Sequence, residues 1–139
     1  MNKIKKMIKN ERGMTLIELL AVIVIIAIIA AIAIPAIGNI INNQKDKAIL
    51  ADASTILAGA KLALADGACG DDNICSKDEL AGFVDGLKIP LATEDKVAKV
   101  TGGYDITYAA LETIKNAKYK TNITGGTVSS ANLNKNMGN

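Results

Sequence analysis

A chain of 139 residues has room for one small domain and a membrane segment, and 3% aromatic content, with no Trp and a single Phe, excludes a core built on rings. The absence of His excludes His-based catalysis and most zinc or copper sites. Net charge is +2, but Lys3, Lys5, Lys6, Lys9 and Arg12 against Glu11 give the segment before Met14 a net of +4 and leave −2 for the remainder. That local excess points to a positive flank held on the cytoplasmic side of a membrane rather than to nucleic-acid binding.

Residues 1–12, MNKIKKMIKNER, form a short basic leader. The stretch 13–35, GMTLIELLAVIVIIAIIAAIAIP, is aliphatic almost throughout and carries one charge, Glu18. The 21 residues from Met14 to Ile34 span about 31 Å as an α-helix at ~1.5 Å per residue. That matches the roughly 30 Å hydrocarbon core of a bilayer. The uncharged run from Leu19 to Gln44 is too long for a conventional secretory signal. The small residue that would mark a cut, Gly13, also precedes the apolar run. Cleavage there would remove the leader and leave the helix on the mature chain.

The pattern predicts one long helix over residues 14–66. Its first half is apolar on every side, as lipid exposure requires. Pro35 removes the bond to the Ala31 carbonyl and crowds the preceding turn, and Gly38 weakens the next one, so a kink or local opening is expected there. In the second half, Ile49, Ala53, Ile56, Leu57, Ala60 and Leu64 recur at three- and four-residue steps. Lys45, Asp46, Lys47, Asp52 and Lys61 lie among them, giving an amphipathic helix with one packing face. Gly67 is the expected stop.

Residues 67–76, GACGDDNICS, read as a loop. Ser76 with Glu79 fits a capping box, predicting a second helix from Lys77 with Leu80, Phe83, Val84 and Leu87 on its apolar face and Pro90 at its end. Gly82 and Gly86 weaken it. Residues 96–131 change to strand-like runs. Tyr104, Ile106 and Tyr108 alternate with polar residues, and KYKTNIT at 118–124 is a second such run. Hairpin turns are expected at Gly102-Gly103 and Gly125-Gly126. LETIKNA is ambiguous between helix and strand, and the polar tail NLNKNMGN is expected to fray. The fold class expected is α+β: a long N-terminal helix packed on a small head with a short helix and a small antiparallel sheet.

Glu18 is the most informative single residue. A carboxylate inside an apolar helix costs at least about 2.5–3.5 kcal/mol in a bilayer. Snorkelling to the headgroups would explain it blandly. The alternative is a cation: cleavage after Gly13 gives Met14 a free α-amine, which can pair with Glu18 of a neighbouring subunit. Such a pair checks register, because a misplaced subunit leaves a buried charge unpaired.

Gly13-Met14-Thr15-Leu16-Ile17-Glu18 followed by an apolar helix resembles the class III signal of type IV pilins and pseudopilins. The resemblance covers residues 1–40. It implies cleavage after Gly13 by a membrane prepilin peptidase, methylation of the Met14 amine and a docking role for Glu18. Pro35, about 22 residues past the cut, also fits. Met14 departs from the usual Phe. The implied domains are a leader at 1–13, a transmembrane and filament-core helix at 14–37, and an extracytoplasmic head at 38–139. The implied function is that of a structural subunit of a type IV pilus polymerised for adhesion, motility or DNA uptake. Its implied partners are copies of itself, the peptidase/methyltransferase, an assembly ATPase and a membrane platform. A pseudopilin of a type II secretion or competence system carries the same signal. A single-pass anchored binding domain that never polymerises is the reading of another class, and it leaves Glu18 unexplained.

Cys69 and Cys75 enclose five residues. That is not CxxC, and zinc would lack ligands, so a loop disulfide in an extracytoplasmic head is expected, with two free thiols as the alternative. Asp71, Asp72 and Asn73 lack EF-hand spacing and read as a solvated turn rather than a calcium site. Asn122-Ile123-Thr124 matches a glycosylation sequon, a pattern frequent by chance. Lys96, Lys99, Lys115, Lys118 and Lys120 are scattered over the head and read as a solvated face rather than a DNA-binding surface. No nucleophile–base pair, phosphate loop or carboxylate dyad emerges, so neither enzymatic activity nor a cofactor is expected.

Overall fold

The computed structural model describes residues 15–138 in full and residues 2–14 only as the start of the first helix. The chain divides into two units, residues 1–40 and 41–139. Along the backbone helix α1 is Asn2–Asp66, with Pro35 inside it. It is followed by β1 (Ile74–Ser76), α2 (Lys77–Leu80), β2 (Lys96–Val100), β3 (Gly103–Thr107), a 3-10 turn (Ala109–Thr113), β4 (Thr127–Ser129) and α3 (Ser130–Asn136). The class is α+β, as the sequence predicts.

In the second unit the strands form one antiparallel sheet in chain order, β1-β2-β3-β4. Its register sets Cys75 opposite Val97, Val97 opposite Ile106 and Ile106 opposite Val128. Because strand side chains alternate faces, this row points one way. All four residues are fully buried, together with Ile49, Leu50, Ala53, Ile56, Leu57, Ala60 and Ala63 of α1. The predicted apolar stripe of the helix is therefore the core-facing stripe, with Leu64 half-buried at its end. Each fully buried Ile, Leu or Val contributes roughly 1.5–3 kcal/mol. Small residues let the helix lie close to what covers it.

α1 ends where Gly67 takes φ 75° and Ala68 N–H donates to the Ala63 carbonyl at 2.9 Å, a glycine-dependent C-terminal closure. The capping box at Ser76 is present: the Ser76 N–H donates to Glu79 Oε2 at 2.7 Å and its hydroxyl donates at 2.9 Å. Helix α2, however, stops at Leu80 rather than running to Pro90. Gly82 lies two residues on and Gly86 takes φ 73°; the Phe83 and Val84 N–H groups still donate to the Leu80 carbonyl, but those of Lys88 and Ile89 go to Asp52 instead of a helical turn. Leu80 is nonetheless buried, and Phe83, Val84 and Leu87 pack on the core as the pattern predicts. The apolar contacts survive without the helix.

Three further expectations are corrected. Residues 118–124 form turns, not a strand: Asn116 Oδ1 accepts the Lys118 N–H at 3.0 Å, the Tyr119 N–H donates to the Asn116 carbonyl at 3.0 Å, and Asn122 sits at φ 59°. Asn side chains compete locally for backbone donors, which breaks extended pairing. The tail does not fray as a whole. Ser130–Asn136 is α3, capped by Ser129 Oγ accepting the Asn132 N–H, with Leu133 fully buried and Asn136 Nδ2 donating to the Thr121 carbonyl at 2.7 Å. The loop read at 67–76 also contributes β1 at its end.

The turn expected at Gly125-Gly126 is present, and the one expected at Gly102-Gly103 falls one residue earlier, with Gly103 paired to Val100 in the sheet. Thr101-Gly102 joins β2 to β3 with Gly102 at φ 89°. Gly125 and Gly126, at φ 53° and 72°, close a two-residue turn in which Thr124 and Thr127 exchange backbone bonds at 3.0 and 2.9 Å. Two left-handed positions in sequence are what that turn requires, and glycine adopts them without strain.

Candidate functional site

Among the described residues the first unit is helix with exposed aliphatic side chains. From Leu16 to Ile41 the large aliphatics are exposed, Leu16 at 69%, Ile32 at 71% and Ile34 at 68% among them. The described part, Thr15–Asp66, contains an 18-residue window of mean hydropathy 3.2, none of it buried, and is long and apolar enough to cross a membrane. Exposed contiguous apolar surface on this scale calls for lipid or protein around it. Glu18 is exposed within this surface, one turn into the described helix. Pro35 is exposed and the helix continues through it, and Gly38 has open space where a side chain would stand. Gly13 and Met14, the expected cleavage pair, lie outside the fully described residues.

In the second unit Cys69 and Cys75 are joined by a disulfide, with Cα atoms 4.9 Å apart. It ties the chain just past α1 to strand β1. Closing so short a loop removes little entropy from the unfolded chain, so its stabilisation is modest. Glu79 adds to the tie by accepting the Gly70 N–H at 3.3 Å. The Ser76 backbone N–H and then the Ser76 hydroxyl hold the Glu79 carboxyl below its ordinary range.

Three buried aspartates hold loops against helix and sheet, and sequence reasoning missed this role. Asp46 accepts the N–H groups of Lys115 (3.2 Å) and Asn116 (2.8 Å). Asp52 Oδ2 accepts those of Lys88 (3.0 Å) and Ile89 (3.2 Å), with the Tyr108 hydroxyl at 3.3 Å. Asp95 accepts those of Ala92 (2.6 Å) and Ala109 (2.8 Å). The single Tyr108 hydroxyl proton is shared with the Ile89 carbonyl, which is nearer at 2.6 Å. Burial first, then the nearby Asp52 and Asp95 charges, push the Tyr108 phenol up from its ordinary value. The signal for Asp46 was its spacing: Asp46, Ile49, Ala53 and Ile56 fall on one helix face, which puts a carboxylate in the packing stripe.

The remaining sequence features are plain. Asp71, Asp72 and Asn73 are exposed, Asp72 Oδ1 accepts the Ile74 N–H at 3.1 Å, and Asn73 takes φ 59°, a polar turn. Among the described residues no group of three or more His, Cys, Asp or Glu is placed to hold a metal. Asn122 and Thr124 are exposed, as are Lys96, Lys99, Lys115, Lys118 and Lys120. Lys118 Nζ lies 5.8 Å from the Tyr119 ring centroid.

A family model described as the prokaryotic N-terminal methylation motif matches residues 8–34. No curated protein and no solved structure matches the chain. The matched residues take in Lys9 and Arg12 at the end of the basic flank, Gly13, Met14, Glu18 and most of the exposed apolar helix, so residues 8–34 carry the class III signal of type IV pilins and pseudopilins.

Proposed function

We propose that the chain is a structural subunit of a type IV pilus, made as a prepilin. The observation that carries the reading is the methylation motif at residues 8–34 running directly into a helix whose aliphatic surface is uncovered. The basic leader holds residues 1–13 in the cytoplasm, the helix at 14–37 sits in the membrane, and residues 38–139 lie outside. A prepilin peptidase cuts after Gly13 and the Met14 amine is methylated. An assembly ATPase and membrane platform then lift the subunit into a helical filament, used for adhesion, motility or DNA uptake. Pro35 and Gly38 supply a compliant point in the filament-core helix. Association exchanges lipid contacts for helix–helix contacts, so little hydrophobic cost opposes extraction once neighbours are present.

Intact mass and N-terminal sequencing of the protein from its native cell test this. A mature chain beginning at Met14, with a methyl group on its amine, is expected. A surface fraction that retains Met1 to Gly13 overturns the reading.

A further inference from the structure

The second unit contains a cavity of about 380 Å³ to which α1 contributes Lys45, Asp46 and Asp52, and the two loops held by those aspartates contribute Lys88, Ile89 and Lys115. That volume lies within the range of small-molecule sites. Its chemistry is divided. Lys45, Lys88 and Lys115 are exposed at the rim. Ala48, Ile49 and Ile89 make an apolar wall. Asp46 spends both carboxylate oxygens on backbone N–H groups. Asp52 does not: all three of its bonds fall on Oδ2, and Oδ1 accepts none from the described residues. Among those residues no side-chain oxygen or nitrogen is sealed from solvent without a partner. Asp52 is 6% exposed and lines the cavity, and its Oδ1 is therefore not sealed from solvent.

A negatively charged acceptor, three ammonium groups at the rim and apolar side chains beside them suit a zwitterionic amphiphile. Its cation would meet Asp52 Oδ1 and its anion the lysines. We propose that this cavity holds the phosphoethanolamine headgroup of a membrane lipid, with the ammonium on Asp52 and the phosphate between Lys45, Lys88 and Lys115. The lipid source rests on the membrane-anchored reading above. The exposed aliphatic stretch from Leu16 to Ile41 is about 38 Å long at ~1.5 Å per residue. A bilayer with its headgroup layers is about 40–45 Å. Asn42 and Lys45, the first cavity residues, follow that stretch at once and emerge at the outer headgroups. Before assembly the headgroup would hold the head against the membrane surface, and extraction into a filament would release it.

The test is an amide NMR titration of the full chain in detergent with dihexanoyl phosphatidylethanolamine. Saturable shifts at Lys88, Ile89, Lys115 and Asn116 are expected. Dihexanoyl phosphatidylglycerol, which lacks the ammonium, should bind roughly tenfold more weakly or worse, since one charge-assisted bond is lost. The triple variant Lys45→Gln, Lys88→Gln, Lys115→Gln, whose exposed side chains leave the Asp52 bonds intact, should lose affinity by a similar factor. Asp52→Asn should abolish the preference for ethanolamine over glycerol. Absence of saturable shifts, equal binding of both lipids, or an unchanged triple variant overturns the proposal. Free phosphoethanolamine binding as tightly as the lipid overturns the lipid source. Alkaline extraction of native membranes scores the anchor separately. A chain retained in membranes but silent in the titration defeats the cavity proposal alone, and a chain that binds the headgroup yet washes off defeats the anchored reading.

Discussion

Tyr108 shows how much of the head depends on single polar atoms. Its ring is fully buried and its hydroxyl joins the Ile89 carbonyl to Asp52, so it supports the 88–89 loop from the sheet side while α1 supports it from the other. Tyr108→Phe removes the donor and leaves buried acceptors short of a partner, at a cost of about 1–3 kcal/mol near neutral pH. The pH dependence has a definite sign. The folded-state pKa lies above the ordinary value of 10.0, so the folded chain keeps a proton that the unfolded chain releases. The extra stability is therefore complete below pH 10 and lost as pH rises beyond it. Chemical denaturation from pH 7 to 11 should show the gap between wild type and Tyr108→Phe narrowing above pH 10. A gap that is constant or widens would contradict the burial of the phenol. None of this was legible in the sequence, where Tyr108 read as one more member of an alternating strand. Its partner Asp52 is 56 positions away. Local patterns report which face a residue takes, not which distant loop needs its oxygen.

At the scale of elements, periodicity was a sound guide and boundaries were not. The stripe Ile49, Ala53, Ile56, Leu57 and Ala60 is buried as its spacing requires, and the capping box at Ser76 starts α2 where predicted. The alternation at 104–108 became β3 because cross-strand partners existed for it in β2 and β4. The similar run at 118–124 had Asn116 and Asn122 to divert its backbone, and it became turns. Leu133 and Asn136 explain the tail: two buried side chains and the Ser129 cap hold a two-turn helix that composition alone would call frayed. Gly59 shows what spacing cannot reveal. It lies on the packing side of α1, and a Cβ there would stand 2.8 Å from the Phe83 carbonyl oxygen, a backbone atom that cannot turn aside. In an open helix Gly→Ala stabilises by up to about 1 kcal/mol. Here the clash reverses the sign, and Gly59→Ala should destabilise by roughly 1–3 kcal/mol. Gly38→Ala, which meets nothing within 4 Å, is the matched control for space. Thermal melts that lower the midpoint for Gly59→Ala and not for Gly38→Ala would establish that the helix is seated on the 83–84 turn.

For the molecule as a whole, the two units pose opposite problems. Residues 41–139 bury their apolar stripe within the chain, whereas the large aliphatics among the described residues of the first unit are exposed. The methylation motif was the most legible feature of the sequence because it is local: Gly13, Met14 and Glu18 carry it within six positions, and residues 8–34 match it. A bilayer covers aliphatic surface but penalises Glu18, by at least about 2.5–3.5 kcal/mol at the centre and less toward the headgroups. A filament core covers the same surface, and in the proposed assembly it offers Glu18 the Met14 amine of a neighbour. If that pairing forms, the carboxylate makes the membrane the worse of two apolar environments, and that difference favours extraction. Replacing it separates the two roles. Glu18→Ala keeps the helix apolar and leaves Gly13-Met14 untouched, so cleavage and membrane retention should be normal or improved. Filament yield, measured by shearing and electron microscopy of cells, should fall at least tenfold, as expected when a buried charge loses its partner. Unfilled cells with fully processed Glu18→Ala protein would place the defect at docking. Normal filaments from that variant would show the pairing to be dispensable, and Glu18 would then be a residue that merely reaches the headgroups.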